Sequence, residues 1–348
     1  MIEPPYENMA SFENLYHAHL AARRGKQMTR DVIAFEMNLG PHLMRLKSRL
    51  DKQTYRPAPY THFTIHEPKK REVYAPRYAD RVVQHCLCDT IVCPALEPRL
   101  IFDNAACRVG KGTHFALGRL SQFMSAFHRK HGAKGFVLKY DIASYFAMID
   151  HAVLGSKLSR VFESPPTQRL LETIINSYES TKGVGLPLGN QASQWFALYY
   201  LDSLDRLIKE KLRIRWYSRY MDDGVLLHPS KTYLQECLGQ MQAHVASLGL
   251  RFNAKTQIFP LSAGVNYLGF HTYLTGTGKA IRRMDPGKKA RLIRHLRNLR
   301  EEYRQGDHTA GEVIEKVGSH CAHLEHGHTW GLRQRLLAVP FVYSDGRH

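Results

Sequence analysis

The chain has 348 residues and a formal net charge of +18, from 49 lysines and arginines against 31 aspartates and glutamates. Its apolar fraction of 43% is sufficient to bury a core, which excludes a disordered tail, and the length predicts two or three structural units. The basic excess is typical of a partner that carries phosphates, most simply nucleic acid, although binding to a ribosome or a membrane surface would give the same charge.

The cysteines and the N-terminus indicate the compartment. The six cysteines form no paired CxxC units, and the N-terminus lacks a basic stretch followed by an apolar one, so we expect a cytoplasmic protein. No run of about 18 apolar residues occurs, so we expect no membrane span and no membrane partner.

The first third of the chain predicts helices and one hairpin. Apolar spacing predicts a helix over residues 30–50, bent at Gly40-Pro41. Residues 62–73 have the pattern of a hairpin with a basic tip, which could hold phosphate. The apolar character of residues 81–96 predicts a buried helix. We interpret its three cysteines as core residues and not as zinc ligands.

The middle third predicts strands that end in acidic residues. A short β-rich run over 135–142 ends at Asp141, and a helix follows from His151. A glycine-rich loop precedes a helix over 193–208, and residues 215–228 predict a hairpin with Asp222 and Asp223 at its turn.

The last part of the chain becomes helical and basic. A helix over 233–250 and further β-rich stretches precede a boundary that we place near residue 280. Beyond it, an apolar helical stripe lies opposite a cationic face. The basic residues of this stretch are Arg282, Arg283, Lys288, Lys289, Arg291, Arg294, Arg297, Arg300 and Arg304.

The three aspartates suggest phosphoryl transfer. Nucleotide transfer uses two divalent cations held by carboxylates, and Asp141, Asp222 and Asp223 would meet if their strands were neighbours in one antiparallel sheet. Taken singly, each aspartate is explained as well or better by turn chemistry or helix capping.

Five ordered sequence blocks carry a family resemblance. They are the blocks around Lys69 and Arg71, then DRVVQ from Asp80, then RVGKGTH from Arg108, then DIASYF from Asp141, and finally YMDD from Tyr220. Together they resemble reverse transcriptases of the group II intron lineage, over residues 60 to 340. The resemblance implies an α+β right-hand polymerase fold, with fingers, a palm with a small antiparallel sheet, and a helical thumb.

The resemblance implies a catalytic set and a metal set. Asp141, Asp222 and Asp223 would be catalytic, with Lys255 protonating pyrophosphate, although a lone lysine is usually only a solvated surface charge. The metal site would comprise Asp141, Ile142, Asp222 and Asp223 and hold two Mg²⁺ ions, with Mn²⁺ as the alternative.

The implied nucleotide site consists of Lys69, Arg71, Phe146, Leu188, Gly189 and Gln194. The two cations would grip the triphosphate, and Phe146 would clash with a ribose 2′-hydroxyl, although an ordinary core aromatic is as good an explanation. Leu188 and Gln194 depart from the glutamine and proline of many reverse transcriptases. The loop over residues 185–194, which contains both, resembles that of diversity-generating retroelement enzymes and of enzymes tied to phage defence.

The implied nucleic-acid contacts are Arg108, Lys111, Tyr267, Gly269, Lys288, Lys289, Arg291 and Arg294. Tyr267 and Gly269 would belong to a primer-gripping turn and the last four to the thumb, whose charged face could also be merely solvated. The His-rich stretch 320–328 matches no common zinc spacing, so helix packing or nucleic-acid contact is the preferred interpretation.

The expected domains are N-terminal helices and fingers over 1–130, a palm over 131–280 with a contribution to the fingers from 155–185, and a thumb over 281–348. The expected function is RNA-directed DNA synthesis on a dedicated RNA, with dNTPs as substrates and cDNA as product. We favour antiphage defence over error-prone diversification, while a non-catalytic RNA-binding scaffold is the alternative of another class. An accessory protein or a second copy of the chain stays open as a further partner.

Overall fold

The N-terminal part is a layer of helices in the computed structural model, which describes residues 4–26, 28–65 and 71–338. These helices are α1 (Tyr6–Met9), α2 (Phe12–Ala22), α3 (Arg30–Glu36) and α4 (Leu39–Asp51). The predicted bend at Gly40-Pro41 is wrong, because the chain breaks at 37–38 instead. Pro41 lies in the first turn of α4, where a missing N–H costs no helical hydrogen bond.

A two-stranded hairpin and a buried helical stretch follow. Strands β1 (Thr61–Ile65) and β2 (Arg71–Ala75) pair antiparallel, and the predicted basic tip lies outside the described residues. Helix α5 (Tyr78–Leu87), a π-helical turn at Cys88–Val92 and α6 (Cys93–Leu96) form the predicted buried stretch. Cys86 and Cys88 are buried in the core.

A four-stranded antiparallel sheet lies at the centre of the molecule. After helix α7 (Thr113–His131) come β3 (Phe136–Asp141), β4 (Trp216–Tyr220), β5 (Asp223–His228) and β6 (Gln257–Pro260). Their order in the sheet is β4-β5-β3-β6, so β3 lies between β5 and β6.

Each face of this sheet has its own core because strand residues alternate between faces. Leu138, Tyr140 and Leu226 pack into the larger core, which contains the helices that connect the strands. These are α8 (His151–Ser159), α9 (Pro165–Ile175), α10 (Gln191–Tyr200), α11 (Asp202–Arg206) and α12 (Lys231–Ser247). The predicted helix 193–208 is therefore interrupted at Leu201.

Helix α7 covers the other face of the sheet, beside a three-stranded sheet. Val137 and Leu227 pack there against α7 side chains such as Phe127. The strands are β7 (Val265–Tyr267), β8 (Phe270–Leu274) and β9 (Ala280–Met284), in that order.

The C-terminal helices form the smallest core. They are α13 (Pro286–Arg304), α14 (Ala310–Leu324) and α15 (Trp330–Leu337), which pack around Leu292, Leu296 and Leu324. Because β9 continues to Met284, the helical part begins at Pro286, slightly after the predicted boundary. Among the described residues, no helix has both the length and the apolar character that crossing a bilayer requires.

Candidate active site

The strand pairing brings two of the three aspartates face to face. Asp141 ends β3 and Asp223 begins β5, and the two are direct cross-strand partners. Side chains at such positions have Cβ atoms about 5 Å apart. Two residues separated by 82 positions in the sequence are therefore neighbours because β3 and β5 are adjacent.

The third aspartate lies in the tight turn between β4 and β5. Tyr220 pairs with Asp223, so only Met221 and Asp222 form the turn. Met221 has a φ of 55°, a left-handed conformation that is uncommon for a side chain of its size. The turn therefore places Asp222 directly beside the Asp141 and Asp223 pair.

Gly224 permits the close approach of β5 to β3. It is the cross-strand partner of Tyr140, and a Cβ built on it would lie 2.3 Å from the Tyr140 ring. Any other residue at 224 would have to displace a fully buried tyrosine.

Asp222 and Asp223 have raised pKa values. Burial, and then the neighbouring Asp141, raise the pKa of Asp222 to about 6. Burial also raises the pKa of Asp223 to about 7, although Lys139 opposes this rise with its ammonium 3.4 Å from Asp223 Oδ2. The cluster is thus short of positive charge.

A fully buried ion pair supports the turn from below. Arg219 and Asp205 are both 0% exposed, and Arg219 Nη2 lies 2.6 Å from Asp205 Oδ2. Arg219 Nη1 donates a hydrogen bond of 2.6 Å to the carbonyl of Met221, the strained turn residue. The hydroxyl of Tyr217 donates to Asp205 Oδ1.

Sequence analysis missed Arg219 and Asp205. The signal was available, because Arg219 stands in an apolar strand two residues before the turn. A charge at such a position needs a buried partner. The partner could not be identified from the sequence, because it lies 14 positions away in another element.

The loop over residues 185–190 is hydrogen-bonded to the segment that contains Phe146. The amide of Leu186 donates to the carbonyl of Phe146 at 2.7 Å, and Phe146 itself is half-buried beside Tyr145. Leu188 is half-buried and Gly189 is exposed, and a Cβ added to Gly189 would lie 3.6 Å from Val73 in β2. The loop therefore bridges the hairpin and the sheet.

Asn190 ends this loop and caps α10. Its side-chain oxygen accepts a hydrogen bond of 2.6 Å from the amide of Ser193, and Gln194 is half-buried in the first turns of the helix. Lys69 lies outside the described residues, as does the side chain of Arg71, whose backbone begins β2.

The segment containing Lys255 runs beside the end of β3. The amide of Asn253 donates to the carbonyl of Asp141 at 2.7 Å, and Lys255 is exposed two residues further on. The side chain of Ile142 is a buried hydrocarbon with no ligand atom, so Ile142 could ligate a metal only through its backbone carbonyl.

The carboxylates fit a magnesium site that is completed by other ligands. Within the described ranges, no three or more His, Cys, Asp or Glu residues are arranged to hold a metal unaided. Asp223 Oδ1 is buried without a hydrogen-bond partner, however, and Asp141 and Asp222 lie beside it. Mg²⁺ commonly uses one or two carboxylates together with water and substrate phosphates.

A protein-family model matches the part of the sequence that contains this site. The model for reverse transcriptase (RNA-dependent DNA polymerase) matches residues 68–272, which is more than half of the chain and includes all three aspartates. The chain belongs to the reverse transcriptase family. Its α+β architecture is the right-hand polymerase fold of that family, as predicted.

Solved telomerase structures are similar to this reverse transcriptase-family chain. Apo telomerase from Candida tropicalis truncated from its C-terminal domain aligns with 68% of this chain and 59% of its own, at 11% identity and a TM-score of 0.48. Telomerase from Candida albicans with a fragment of telomeric RNA covers 83% of this chain and 56% of its own, at 12% identity and a TM-score of 0.48. The chain thus spans less than two thirds of their length. No curated protein matches it.

Two predicted nucleic-acid contacts of this reverse transcriptase-family chain are corrected. The guanidinium of Arg108 is directed inward, where it bonds Glu97 at 2.8 Å and the carbonyls of Ile101 and Asn104. The side chain of Tyr267 is 1% exposed and lies in the core. Both therefore serve the protein interior.

The other predicted contacts lie on the surface. Gly269, with a φ of 92°, forms the tight turn after β7, and the side chain of Lys288 lies directly over it. Lys289 is half-buried, whereas Arg291 and Arg294 are exposed on α13. Lys111 donates to the carbonyl of Phe102 at 2.6 Å.

The His-rich stretch packs between the C-terminal helices and the rest of the chain. The ring of His326 contacts that of His114 from α7, and the ring of His323 lies near Phe270. Burial, and then the neighbouring His114, His323 and Arg282, lower the pKa of His326 to about 4. His323 and His326 are thus packing residues of the interface with α7 and β8.

Proposed function

We propose that this chain is an RNA-directed DNA polymerase that works by two-metal nucleotidyl transfer. The observation that carries the proposal is the pairing of Asp141 with Asp223, with Asp222 in the adjoining two-residue turn. Three carboxylates meet at one end of a sheet. The pKa values of Asp222 and Asp223 are raised, and Asp223 Oδ1 has no hydrogen-bond partner among the described residues, so the site requires added positive charge.

Asp141, Asp222 and Asp223 would hold Mg²⁺, with Mn²⁺ as the alternative ion. When bound, the metal ions activate the attacking hydroxyl and stabilise the charge on the pyrophosphate. The chain's own residues orient these groups: Arg219 fixes the turn through the Met221 carbonyl, and Lys139 holds Asp223. Lys255, on the segment bonded to the end of β3, is the proposed proton donor to pyrophosphate.

The substrates we propose are deoxynucleotides. Lys69 and Arg71 would bind the triphosphate, and the half-buried Phe146 would exclude a ribose 2′-hydroxyl. Leu188, Gly189 and Gln194 would line the pocket on the other side. Because Leu188 cannot hydrogen-bond the incoming nucleotide, part of the check on its geometry is absent.

The metal assignment is tested with the double variant Asp222→Ala, Asp223→Ala. We expect loss of DNA synthesis on a primed RNA template while RNA binding is retained, because the removed groups hold metal and do not contact the template. The double variant Asp31→Ala, Asp307→Ala, with the same change in charge at exposed positions, is the control. Undiminished synthesis by the first variant would overturn the assignment, and absent synthesis by the unaltered chain would favour the RNA-binding scaffold.

The proposed sugar gate is tested with Phe146→Ala. The smaller side chain should admit ribonucleotides, which the unaltered chain rejects, and incorporation of each nucleotide type can be measured on the same primer and template. The control is Phe63→Ala, because Phe63 is an exposed phenylalanine on β1. A Phe146 variant that still rejects ribonucleotides would remove Phe146 from the gate.

We further propose a bacterial cytoplasmic role in antiphage defence, with a dedicated RNA as template. The support is the resemblance of the loop 185–194 to defence-associated enzymes. The same loop also resembles diversity-generating enzymes, which is the specific observation for a second candidate. The test is to sequence the RNA and DNA that co-purify from infected and uninfected cells. Repeats or concatemers support defence, and substitutions clustered at template adenines support diversification.

A further inference from the structure

A strip of aromatic rings flanked by cations runs along the outer side of α7. At one end Phe102 is 64% exposed, and the ammonium of Lys111 lies 4.5 Å from its ring centroid. The guanidinium carbon of Arg119 lies 5.4 Å from the same centroid. An exposed phenylalanine between two cations is a platform on which a base can stack while its phosphate is neutralised.

The other end of the strip is a group of cations around Trp216, whose own side chain is buried at 6% exposure. Lys130 Nζ lies 5.9 Å and the Arg215 guanidinium carbon 5.7 Å from the Trp216 ring. A shallow cavity of about 420 Å³ joins this end to the first, and its lining includes Arg119, Arg129 and Trp216. From Phe115 to Lys130 the helix rises about 22 Å, which is the length of the strip.

The charges of the strip are only partly neutralised by the protein. Asp103 binds Arg119 at 2.6 Å and Lys209 at 3.4 Å. In contrast, the exposed cations Arg129, Lys130, Arg215 and Lys279 form no ion pair with an aspartate or glutamate among the residues described. These four charges are available to phosphates.

The strip lies apart from the carboxylates. Trp216 is the first residue of β4 and Tyr220 the last, so the two are about 14 Å apart along the strand, and the acidic turn follows Tyr220. An RNA held on the strip would therefore not occupy the polymerase site.

We propose that this strip, which we call the α7 surface (Phe102, Lys111, Arg119, Arg129, Lys130, Arg215 and Lys279), binds single-stranded RNA. An exposed ring within a row of cations suits an unpaired base and the phosphates that flank it, whereas a duplex conceals its base faces. The inference rests on the proposed function only for the source of the RNA, an unpaired region of the template transcript. RNA binding at the α7 surface is independent of DNA synthesis.

The test is a charge reversal at three exposed positions, Arg129→Glu, Lys130→Glu and Arg215→Glu. The probe is a short labelled oligoadenylate. Its binding is measured while a short primed template saturates the polymerase site. We expect affinity to fall at least tenfold and the salt dependence of log K to become shallower by about 2, because three phosphate contacts are lost. Extension of the short primed template should stay within twofold of the unaltered chain.

The matched control is Arg30→Glu, Arg45→Glu and Lys52→Glu. These exposed cations lie on or just after the N-terminal helices, and both triple variants have a net charge of 18 − 6 = +12. Equal losses of RNA affinity in the two variants would overturn the proposal, because general charge would explain both. An equal loss of primer extension in the first variant would also overturn it, since the surface would then belong to the polymerase site.

A second variant separates stacking from charge. Phe102→Ala leaves the net charge unchanged and should weaken binding of oligoadenylate several-fold, with little effect on duplex RNA. Phe12→Ala, at another half-exposed phenylalanine, should have no effect. Unaltered oligoadenylate binding by both Phe102→Ala and the triple variant, with loss of a co-purifying protein instead, would overturn the proposal in favour of a protein-binding surface.

Discussion

Two polar clusters meet at the turn formed by Met221 and Asp222, and they are completed in different ways. Beneath the turn, the guanidinium of Arg219 bonds Asp205 and two backbone carbonyls, one of them that of Met221. Above it, the ammonium of Lys139 lies near Asp223, and Asp223 Oδ1 has no hydrogen-bond partner among the residues that the structure describes.

The difference separates what folding completes from what a ligand completes. The lower cluster is neutral and hydrogen-bonded, so it holds the turn rigidly in the absence of any ligand. The upper cluster carries excess negative charge in a half-buried site, which favours protons or added cations. The first cluster supports the geometry of the second.

The largest effect is expected when the lower cluster is broken. Arg219→Met should lower the free energy of unfolding by about 3 to 5 kcal/mol, because Asp205 is left as an unpaired buried charge. Denaturant unfolding measures this loss. The control is Lys47→Met, which breaks a 2.6 Å pair on the surface and should cost below about 1 kcal/mol. Similar losses for the two variants would contradict the comparison.

The next effect is the loss of DNA synthesis at low pH. Metal binding needs ionised carboxylates, and the pKa values of Asp222 and Asp223 are raised to about 6 and about 7. Activity should therefore be complete above pH 8 and fall about a hundredfold by pH 5.5. Because metal competes with protons, higher Mg²⁺ should move the fall to lower pH. A profile that does not respond to Mg²⁺ would sink the explanation.

A smaller effect is expected from Lys139→Met. Removing the ammonium next to Asp223 takes away the cation that lowers its pKa, so the acid limb of the activity profile should move up by about one pH unit. Lys134→Met, at an exposed lysine that precedes the strand, should leave the profile in place. A downward movement of the limb in the first variant would reverse the assigned sign.

The smallest effect concerns the stability of the metal-free protein. A carboxyl whose pKa is raised by folding binds protons better in the folded state, so it destabilises the fold once pH exceeds its unfolded value. Asp222→Asn should therefore raise the free energy of unfolding by about 1 kcal/mol at pH 8, in the absence of Mg²⁺. The gain should vanish at pH 4, where the folded carboxyl is already protonated. A loss of stability at pH 8 would mean that the upper cluster is already balanced.

Much of this fold could be predicted from local patterns. The run that ends at Asp141, the hairpin arms on either side of the turn and the amphipathic helix α13 have clear periodicity, and all three are present. The adjacency of β3 and β5 could not be predicted from local patterns. It depends on two cores that form on opposite faces of the sheet, from residues distant in sequence.

The predictions for individual side chains differed more from the structure. A motif places Arg108 and Tyr267 near a nucleic-acid path, but burial decides where the side chain is directed. Arg108 finds four acceptor bonds inside the protein, and Tyr267 lies in the core beside α7. Spacing alone contains no information on this choice.

The contact between Gly224 and Tyr140 has a consequence for sequence variation among homologues of this chain. Gly224 directly follows Asp222 and Asp223. A side chain at this position would clash with the Tyr140 ring on the neighbouring strand, because its Cβ would lie 2.3 Å from that ring. Substitutions at the two positions should therefore co-vary: a homologue with a larger residue at 224 should have a smaller one at 140. The sequence constraint on the hairpin of β4 and β5 thus extends to the neighbouring strand β3, beyond the four residues 220–223.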